Sequence, residues 1–271
     1  MLSGKPIAQA INEETRQAVS KYVREGNNAP ALHVLMCQDP PEDVMGYFSI
    51  LERTCQKVGM GCVAHSHGST KQHLETVASL NCARDCTGIL VSLPMPEHID
   101  TQEIIRAISI DKDVDCLHPE SLGRLFIGAT GHRPCTPAAA LALLDAYAVP
   151  LCGSHAVVVG SSNVVGKPLA HMLLERGTTV TLCNIHTKNL SRHLRGADII
   201  VAAAGSSHLI TPDMVGEAQT LIDIGTNYKQ DGTINGDIHP DCSKKASRYT
   251  PVPGGIGPIT TALLVNACVP D

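Results

Sequence analysis

The stretch VVVGSSNVVGKP (157–168) runs from an apolar segment through a polar, glycine-bearing turn into a helical pattern. Val157 to Val159 are continuous and β-branched, as in a strand buried on both faces. Gly160 can make the tight turn that follows, and Gly166 permits close packing where the helix begins. Pro168 stands near the first helical turn, where a missing N–H costs little. Ser161, Ser162 and the amides of the turn can face a pyrophosphate at the helix N-terminus. Ser162 occupies the place of the second glycine of G-x-G-x-x-G, so the segment also fits a plain strand–turn–helix corner.

A dinucleotide site of this type carries, about twenty residues on, an acidic residue for the ribose of NAD or an Arg for the phosphate of NADP. Here the next strand, Thr179 to Cys183, runs out into Asn184, Ile185, His186, Thr187 and Lys188. Asn184 can bond ribose hydroxyls. His186 or Lys188 can meet a phosphate, although Lys188 fits a solvated surface position equally well. Both cofactors stay open on these residues.

The alternation extends in both directions. Upstream, strand patterns at 31–36, 60–65 and 87–93 alternate with helical patterns at 6–24, 44–58, 71–81 and 101–108, and a strong helix covers 138–148. Downstream, helices at 168–176 and 189–195 alternate with strands at 156–159, 179–183, 198–203 and 221–224, and the tail ends in an apolar helix at 259–267. Strands alternating with helices predict parallel βαβ units. The expected architecture is α/β: an N-terminal α/β domain over 1–148, a Rossmann-type domain over 149–249, and a segment, 250–271, whose helix packs back on the first domain.

Length suits two cores, because 271 residues exceed what one small core needs. A net charge of -5, with no basic run, excludes an electrostatic case for nucleic acid or an anionic membrane surface. No apolar run is long enough to span a membrane, and no charged-then-apolar leader opens the chain. The eleven cysteines include Cys37, Cys62, Cys152, Cys183 and Cys268 in apolar segments, with no CxxC pair, which reads as reduced, buried thiols in a cytoplasmic protein. Among the 13 His, His65, His67 and His73 have no partner set of metal-ligand spacing, so surface or loop positions and no metal are expected. Asp111 and Asp113 read as a solvated turn. Ser206, Ser207 and His208 follow Gly205 at a strand end and form no nucleophile constellation.

Several segments together resemble the methylenetetrahydrofolate dehydrogenase/cyclohydrolases: Gly46-Tyr47, GILVSLPMPEHI (88–99), DKDVDCLHP (111–119), PCTP (134–137), VVVGSSNVVGKPLA (157–170), ADIIVAAAG (197–205), IDIGTN (222–227), GDI (236–238) and TPVPGGIGPIT (250–260). Their order and spacing hold across nearly the whole chain. The resemblance implies a tetrahydrofolate substrate in a cleft between the two domains, NAD or NADP entering from the Rossmann side, and a homodimer. It implies that Tyr47 and Asp115 are catalytic-site residues, Tyr47 stacking on the aminobenzoyl ring and Asp115 binding the amino-pyrimidine edge of the pterin, where a carboxylate accepts two parallel N–H bonds. Ser92, Pro253, Gly254, Gly255 and Ile256 are the implied further substrate contacts. Gly160, Ser161, Ser162, Val165, Gly166, Asn184, Ala204, Gly205 and Thr226 are the implied cofactor contacts.

The chain departs from the family where the hydrolytic step is run. The family reads Y-x-x-x-K, whereas here Tyr47 is followed four residues later by Leu51. A leucine holds no titratable proton and donates no hydrogen bond. Arg53 and Lys57 lie elsewhere on the helix. Ser92 replaces the Gln that partners that lysine, Ser161 replaces the Arg of NADP-dependent members, which favours NAD, and Cys116 replaces the Gly after Asp115 and is expected to crowd the pterin pocket. Hydride transfer needs mainly positioning, so the expected function is NAD(P)-dependent oxidation of 5,10-methylenetetrahydrofolate with cyclohydrolase activity weak or absent. The alternatives are a repurposed folate-dependent one-carbon transfer enzyme and a non-catalytic folate-binding homologue.

Overall fold

A computed structural model describes residues 1–228 and 232–270. Residues 229–231 of the expected Rossmann domain and Asp271 of the expected tail lie outside the described residues. The chain divides into two compact units, one of Gln9–Cys135 with the chain from Thr261 onward, the other of Met1–Ala8 with Thr136–Thr260.

The first unit contains most of α1 (Lys5–Arg24), then β1 (Ala31–Cys37), α2 (Glu42–Val58), β2 (Gly61–His67), α3 (Thr70–Cys82), β3 (Cys86–Val91), α4 (Thr101–Ala107) and α5 (Pro119–Phe126). Its strands form a parallel sheet in the order β2-β1-β3, with Leu35 opposite His65 on one side and Val91 on the other. Alternation along β1 divides the apolar load between the two faces. Leu32, Val34 and Met36 pack with Leu51, Cys55 and Val58 of α2, whereas Leu35 and Cys37 pack with Val77 and Leu80 of α3 and with Ile104 and Ile105 of α4. Helix ends are marked chemically. Ser69 accepts the Gln72 N–H, Asp100 the Glu103 N–H, and Gly59 closes α2 at a left-handed φ of 87°. Lys112 donates from Nζ to the carbonyls of Leu80, Asn81 and Ala83 at 2.7–2.9 Å, so a full cation sits on the negative end of α3.

The second unit contains α6 (Cys135–Ala146), β4 (His155–Val159), α7 (Gly166–Glu175), β5 (Thr179–Cys183), α8 (Leu190–Arg195), β6 (Ile199–Ala202), β7 (Thr220–Asp223), a small antiparallel pair β8 (Asn227–Tyr228) and β9 (Ile234–Asn235), and β10 (Arg248–Tyr249). Its main sheet is parallel, in the order β10-β7-β6-β4-β5, which is the expected nucleotide-binding type of sheet. The first eight residues group here, where Leu2 donates to the Tyr249 carbonyl at 2.7 Å and the Tyr147 hydroxyl donates to the Ser3 carbonyl at 3.0 Å. The sequence reading had given both the first eight residues and the 138–148 helix to the N-terminal domain. The last helix, α9 (Ile256–Asn266), runs from this unit into the first, where Leu264, Val265 and Cys268 join the core of β1 and α2.

Three expectations need correction. The histidines are structural rather than superficial: His65 and His67 lie in β2, and His73 is fully buried on α3. The His33 Nδ1 and His65 Nε2 atoms are 2.8 Å apart, and His67 meets His73 edge-on with ring centroids at 5.1 Å. Asp113 is likewise no solvated residue. It is buried, and its carboxylate accepts the N–H groups of Leu117 and His118, which closes the turn that leads to α5. Finally, Cys152 and Cys82 are exposed thiols, because Cys152 falls in the loop before β4 and Cys82 ends α3. Helix α5 and the short strands β8, β9 and β10 have no counterpart in the sequence reading. Their apolar residues are too few to show a period.

Candidate functional site

Two sets of predicted residues can be followed, one in each unit. In the first unit, Pro41 and the acidic Glu42 and Asp43 open α2, which carries Tyr47 and, one turn on, Leu51. Leu51 is fully buried in the core with Leu32, Val34 and Cys55, whereas Arg53 and Lys57 are exposed. The lysine position of the resemblance is therefore filled by a side chain that contributes to the core.

Tyr47 is partly buried and packs against that same core, with its hydroxyl as the sheltered end. Burial pushes the phenol pKa up, the neighbouring Asp115 charge pushes it further, and a hydrogen bond with the Thr261 side chain opposes both. Asp115 Oδ1 accepts the Cys135 N–H at 3.2 Å, while the Cys135 thiol donates to the Val114 carbonyl at 3.3 Å. Burial raises the Asp115 carboxyl to about 6, against the opposing pull of the Cys135 bonds. The structure thus brings Tyr47 and Asp115 together, and adds Thr261 and Cys135, to which the sequence reading assigned no role. PCTP and GPIT border these two residues, but nothing in either string says which way a side chain points.

Cys116, beside Asp115, is buried and sits at a φ of 55°, a left-handed conformation that favours glycine. Burial raises its thiol to about 12. Ser92 follows β3 and is partly buried, with its N–H on the Leu35 carbonyl at 2.9 Å.

In the second unit, β4 ends at Gly160, whose φ of 117° and contact with the Ala203 carbonyl leave no space for a Cβ. Gly166 presses on the Gly160 carbonyl in the same way. The turn between them has glycine wherever main chain meets main chain. Ser162 Oγ accepts the Val165 N–H at 3.1 Å within the turn that precedes α7, and Ser161 is partly exposed beside it. Asn184 Oδ1 accepts the His186 N–H at 2.9 Å, so this oxygen is engaged within its own loop.

Ala204, Gly205 and Ser206 donate their N–H groups to one buried carboxylate, Asp237, at 2.6–2.9 Å, and Asn227 Nδ2 adds a fourth bond at 2.9 Å. Asp223 in turn accepts from Gly225, Asp237 and Ile238 at 2.9–3.0 Å. Burial raises Asp223 to about 6. These two carboxylates shape the ends of β6 and β7 and set the loop that carries exposed Thr226. Both lie in motifs of the family resemblance, IDIGTN (222–227) and GDI (236–238), which by themselves give neither Asp a role. Their mirrored spacing, Asp-x-Gly and Gly-Asp, was the available signal. A cavity of about 300 Å³ opens beside Asp223, bounded by His208, His239, Tyr249 and Val252. Gly254, at a φ of 107°, accepts the Gly4 N–H at 2.9 Å and lies with Pro253 and Gly255 in the segment that leads into α9 at Ile256.

Residues 134–270 match the tetrahydrofolate dehydrogenase/cyclohydrolase NAD(P)-binding domain, and residues 2–115 match the catalytic domain of the same name. The chain belongs to the tetrahydrofolate dehydrogenase/cyclohydrolase family. A bifunctional protein FolD of Methanosarcina mazei is 42% identical over 98% of the chain and 93% of its own length. The structure of the bifunctional FolD methylenetetrahydrofolate dehydrogenase/cyclohydrolase from Campylobacter jejuni superposes with a TM-score of 0.94 at 38% identity, covering 99% and 96% of the two chains. A 5,10-methylenetetrahydrofolate dehydrogenase from the silkworm, Bombyx mori, gives 0.88 at 33% identity, covering 99% and 96%.

NAD(P) is the family's cofactor and tetrahydrofolate its one-carbon carrier. The glycine-walled turn of the second unit fits such a dinucleotide. It follows β4, an interior strand of a parallel sheet, opens a helix N-terminus, and has no Cβ at either point of closest main-chain approach. Among the described residues, no helix is long and apolar enough to cross a membrane.

Proposed function

We propose that the chain is a dehydrogenase that oxidises 5,10-methylenetetrahydrofolate to 5,10-methenyltetrahydrofolate with NAD or NADP, NAD favoured, and that its cyclohydrolase activity is weak or absent. In this reading residues 1–148 with 250–271 form the folate domain, residues 149–249 form the dinucleotide domain, and the working form is a cytoplasmic homodimer.

The observation that carries the reading is the environment of the Tyr47 hydroxyl. Its side-chain hydrogen-bond partner is Thr261, and the residue one turn further along α2 is a leucine sealed in the core. Tyr47 stays a neutral phenol at any working pH and offers a face for ring stacking and a hydroxyl dipole, but no ammonium. Asp115 is mostly ionised above about pH 6, and its carboxylate can accept both N–H groups of an amino-pyrimidine edge. Ser92, Pro253, Gly254, Gly255 and Ile256 complete the substrate contacts. Gly160, Ser161, Ser162, Val165, Gly166, Asn184, Ala204, Gly205 and Thr226 hold the dinucleotide, which when bound supplies the hydride acceptor. Oxidation leaves a cation shared by two folate nitrogens and requires no protein base, so placement is the main task of this chain. Hydrolysis of the methenyl product requires proton transfer, and neither Leu51 nor Ser92 restores the amine that the bifunctional relatives' pattern contains.

The purified protein, mixed with methylenetetrahydrofolate and either nicotinamide cofactor, should raise the absorbance of reduced cofactor. No reduction with both cofactors sinks the reading. The double substitution Leu51→Lys with Ser92→Gln should raise methenyltetrahydrofolate hydrolysis while leaving the protein folded. Leu51→Lys alone should lower thermal stability, because the stem of a lysine would displace a fully buried leucine.

A further inference from the structure

Four thiols of the first unit lie in one neighbourhood: Cys55 on α2, Cys62 on β2, Cys86 on β3 and Cys268 after α9. Two of them differ from the rest. Cys55 is fully buried in the core, and Cys62 packs against it from the outer strand of the sheet while remaining partly exposed. Both side chains enter the same apolar cluster, and each shifts the other's thiol. The chain between them is short and tightly turned, with Gly59 in the left-handed region and the Met60 N–H on the Cys55 carbonyl at 2.9 Å.

We propose that Cys62 and Cys55 form a reversible thiol–disulfide modification site, in which Cys62 reacts first with a hydroperoxide and Cys55 resolves it. The Cys62 sulfur attacks the peroxide O–O bond, giving a sulfenic acid and releasing water or alcohol. The Cys55 sulfur then attacks the Cys62 sulfur, the S–O bond breaks, and a second water leaves. Two thiols are oxidised and one peroxide is reduced. The roles follow from position. The first step needs contact with solvent, which Cys62 has, and the second needs another thiol in the same cluster, which Cys55 supplies. The pairing with Cys55 works the same way, holding Cys62 below the ordinary thiol range and pushing Cys55 above it. The bond formed would tie the last turn of α2, the helix of Tyr47 and Leu51, to the outer strand.

The chain reports the outcome directly. Cleavage after Arg53, Lys57 and Lys71 places Cys55 alone in the peptide Thr54–Lys57 and Cys62 alone in Val58–Lys71. The full-length reduced protein, treated with equimolar hydrogen peroxide, alkylated and digested without reductant, should yield these two peptides joined and two hydrogens lighter than their sum. The free-thiol content measured in denaturant should fall by two per chain, and dithiothreitol should reverse both changes. Cys55→Ser should stop the reaction at a Cys62 sulfenic acid that dimedone traps. Recovery of Cys62 as a free alkylated thiol from the treated wild-type protein, while the exposed Cys82 or Cys152 is oxidised, overturns the proposal. So does a bond from Cys62 to Cys268 in place of Cys55. The wild-type digest decides the matter even if a serine variant folds poorly.

Discussion

Asp223 accepts the main-chain N–H of Asp237 at 3.0 Å, and each carboxylate rests against a glycine next to the other's segment, Gly236 beside Asp223 and Gly225 beside Asp237. Neither glycine has a positive φ; what each supplies is space. A methyl at 225 or 236 would meet a buried carboxylate oxygen. Gly225→Ala and Gly236→Ala should each destabilise the protein by roughly 2–4 kcal/mol, a range typical of steric overpacking in a core. Asp237→Asn should cost about 1–3 kcal/mol, since an amide NH₂ would then face main-chain N–H donors. Denaturant unfolding measures both. Glycine substitutions without effect would mean that the carboxylates can move aside.

Thr261 is the side-chain partner of the Tyr47 hydroxyl. Thr261→Val keeps the shape and removes the bond. Loss of a bond worth about 1 kcal/mol should lower kcat/KM for the folate some three- to ten-fold. Thr261→Ser should restore most of it. Equal effects of Val and Ser would make Thr261 a packing residue only.

Burial sets the Asp115 carboxyl at about 6 in the folded chain, above its ordinary value of 3.8. A group with a raised folded pKa contributes its full stability below the unfolded value and loses it as pH rises through the folded one. Asp115→Asn removes that loss. Its melting temperature relative to wild type should climb between about pH 4 and pH 6 and level off above. Over the same interval the wild-type KM for the folate should fall as the carboxylate forms. A flat difference curve would place Asp115 in solvent.

Cys116 combines full burial with a φ of 55°. Shortening the side chain to alanine keeps the strained backbone and loses the packed thiol, whereas glycine loses the thiol and relieves the backbone. Cys116→Gly should therefore be more stable than Cys116→Ala by about 1 kcal/mol, the reverse of the order in ordinary helix or strand positions. Chemical unfolding of the two variants side by side settles the order.

Burial lowers the pKa values of His33, His65 and His73, with His65 and Lys112 disfavouring the charged form of His33, and His67 that of His65 and His73, while Asp85 acts oppositely on His33. Lowered histidines contribute stability above the unfolded value of about 6.5 and lose it as pH falls toward the folded one. His73→Leu should flatten part of the fall in melting temperature between pH 7 and pH 5. An unchanged slope would mean that His73 does not take up a proton on unfolding.

Much of the fold was legible in the chain. Continuous β-branched runs such as Val157–Val159, the glycine stop at Gly59 and the alternation of strands and helices are local signals, because periodicity and turn chemistry act over a few residues. Family order added Tyr47 and Asp115 and made Leu51 and Ser92 visible as departures. Only the tertiary structure decided that Leu51 lies in a sealed core, that Thr261 from the last helix meets Tyr47, and that Asp223 and Asp237 gather seven hydrogen bonds between them. It also turned His73 and Asp113 from expected surface groups into buried ones. Burial and long-range hydrogen bonding depend on which distant segments pack together, and a string of residue types records the donors and acceptors without their distances.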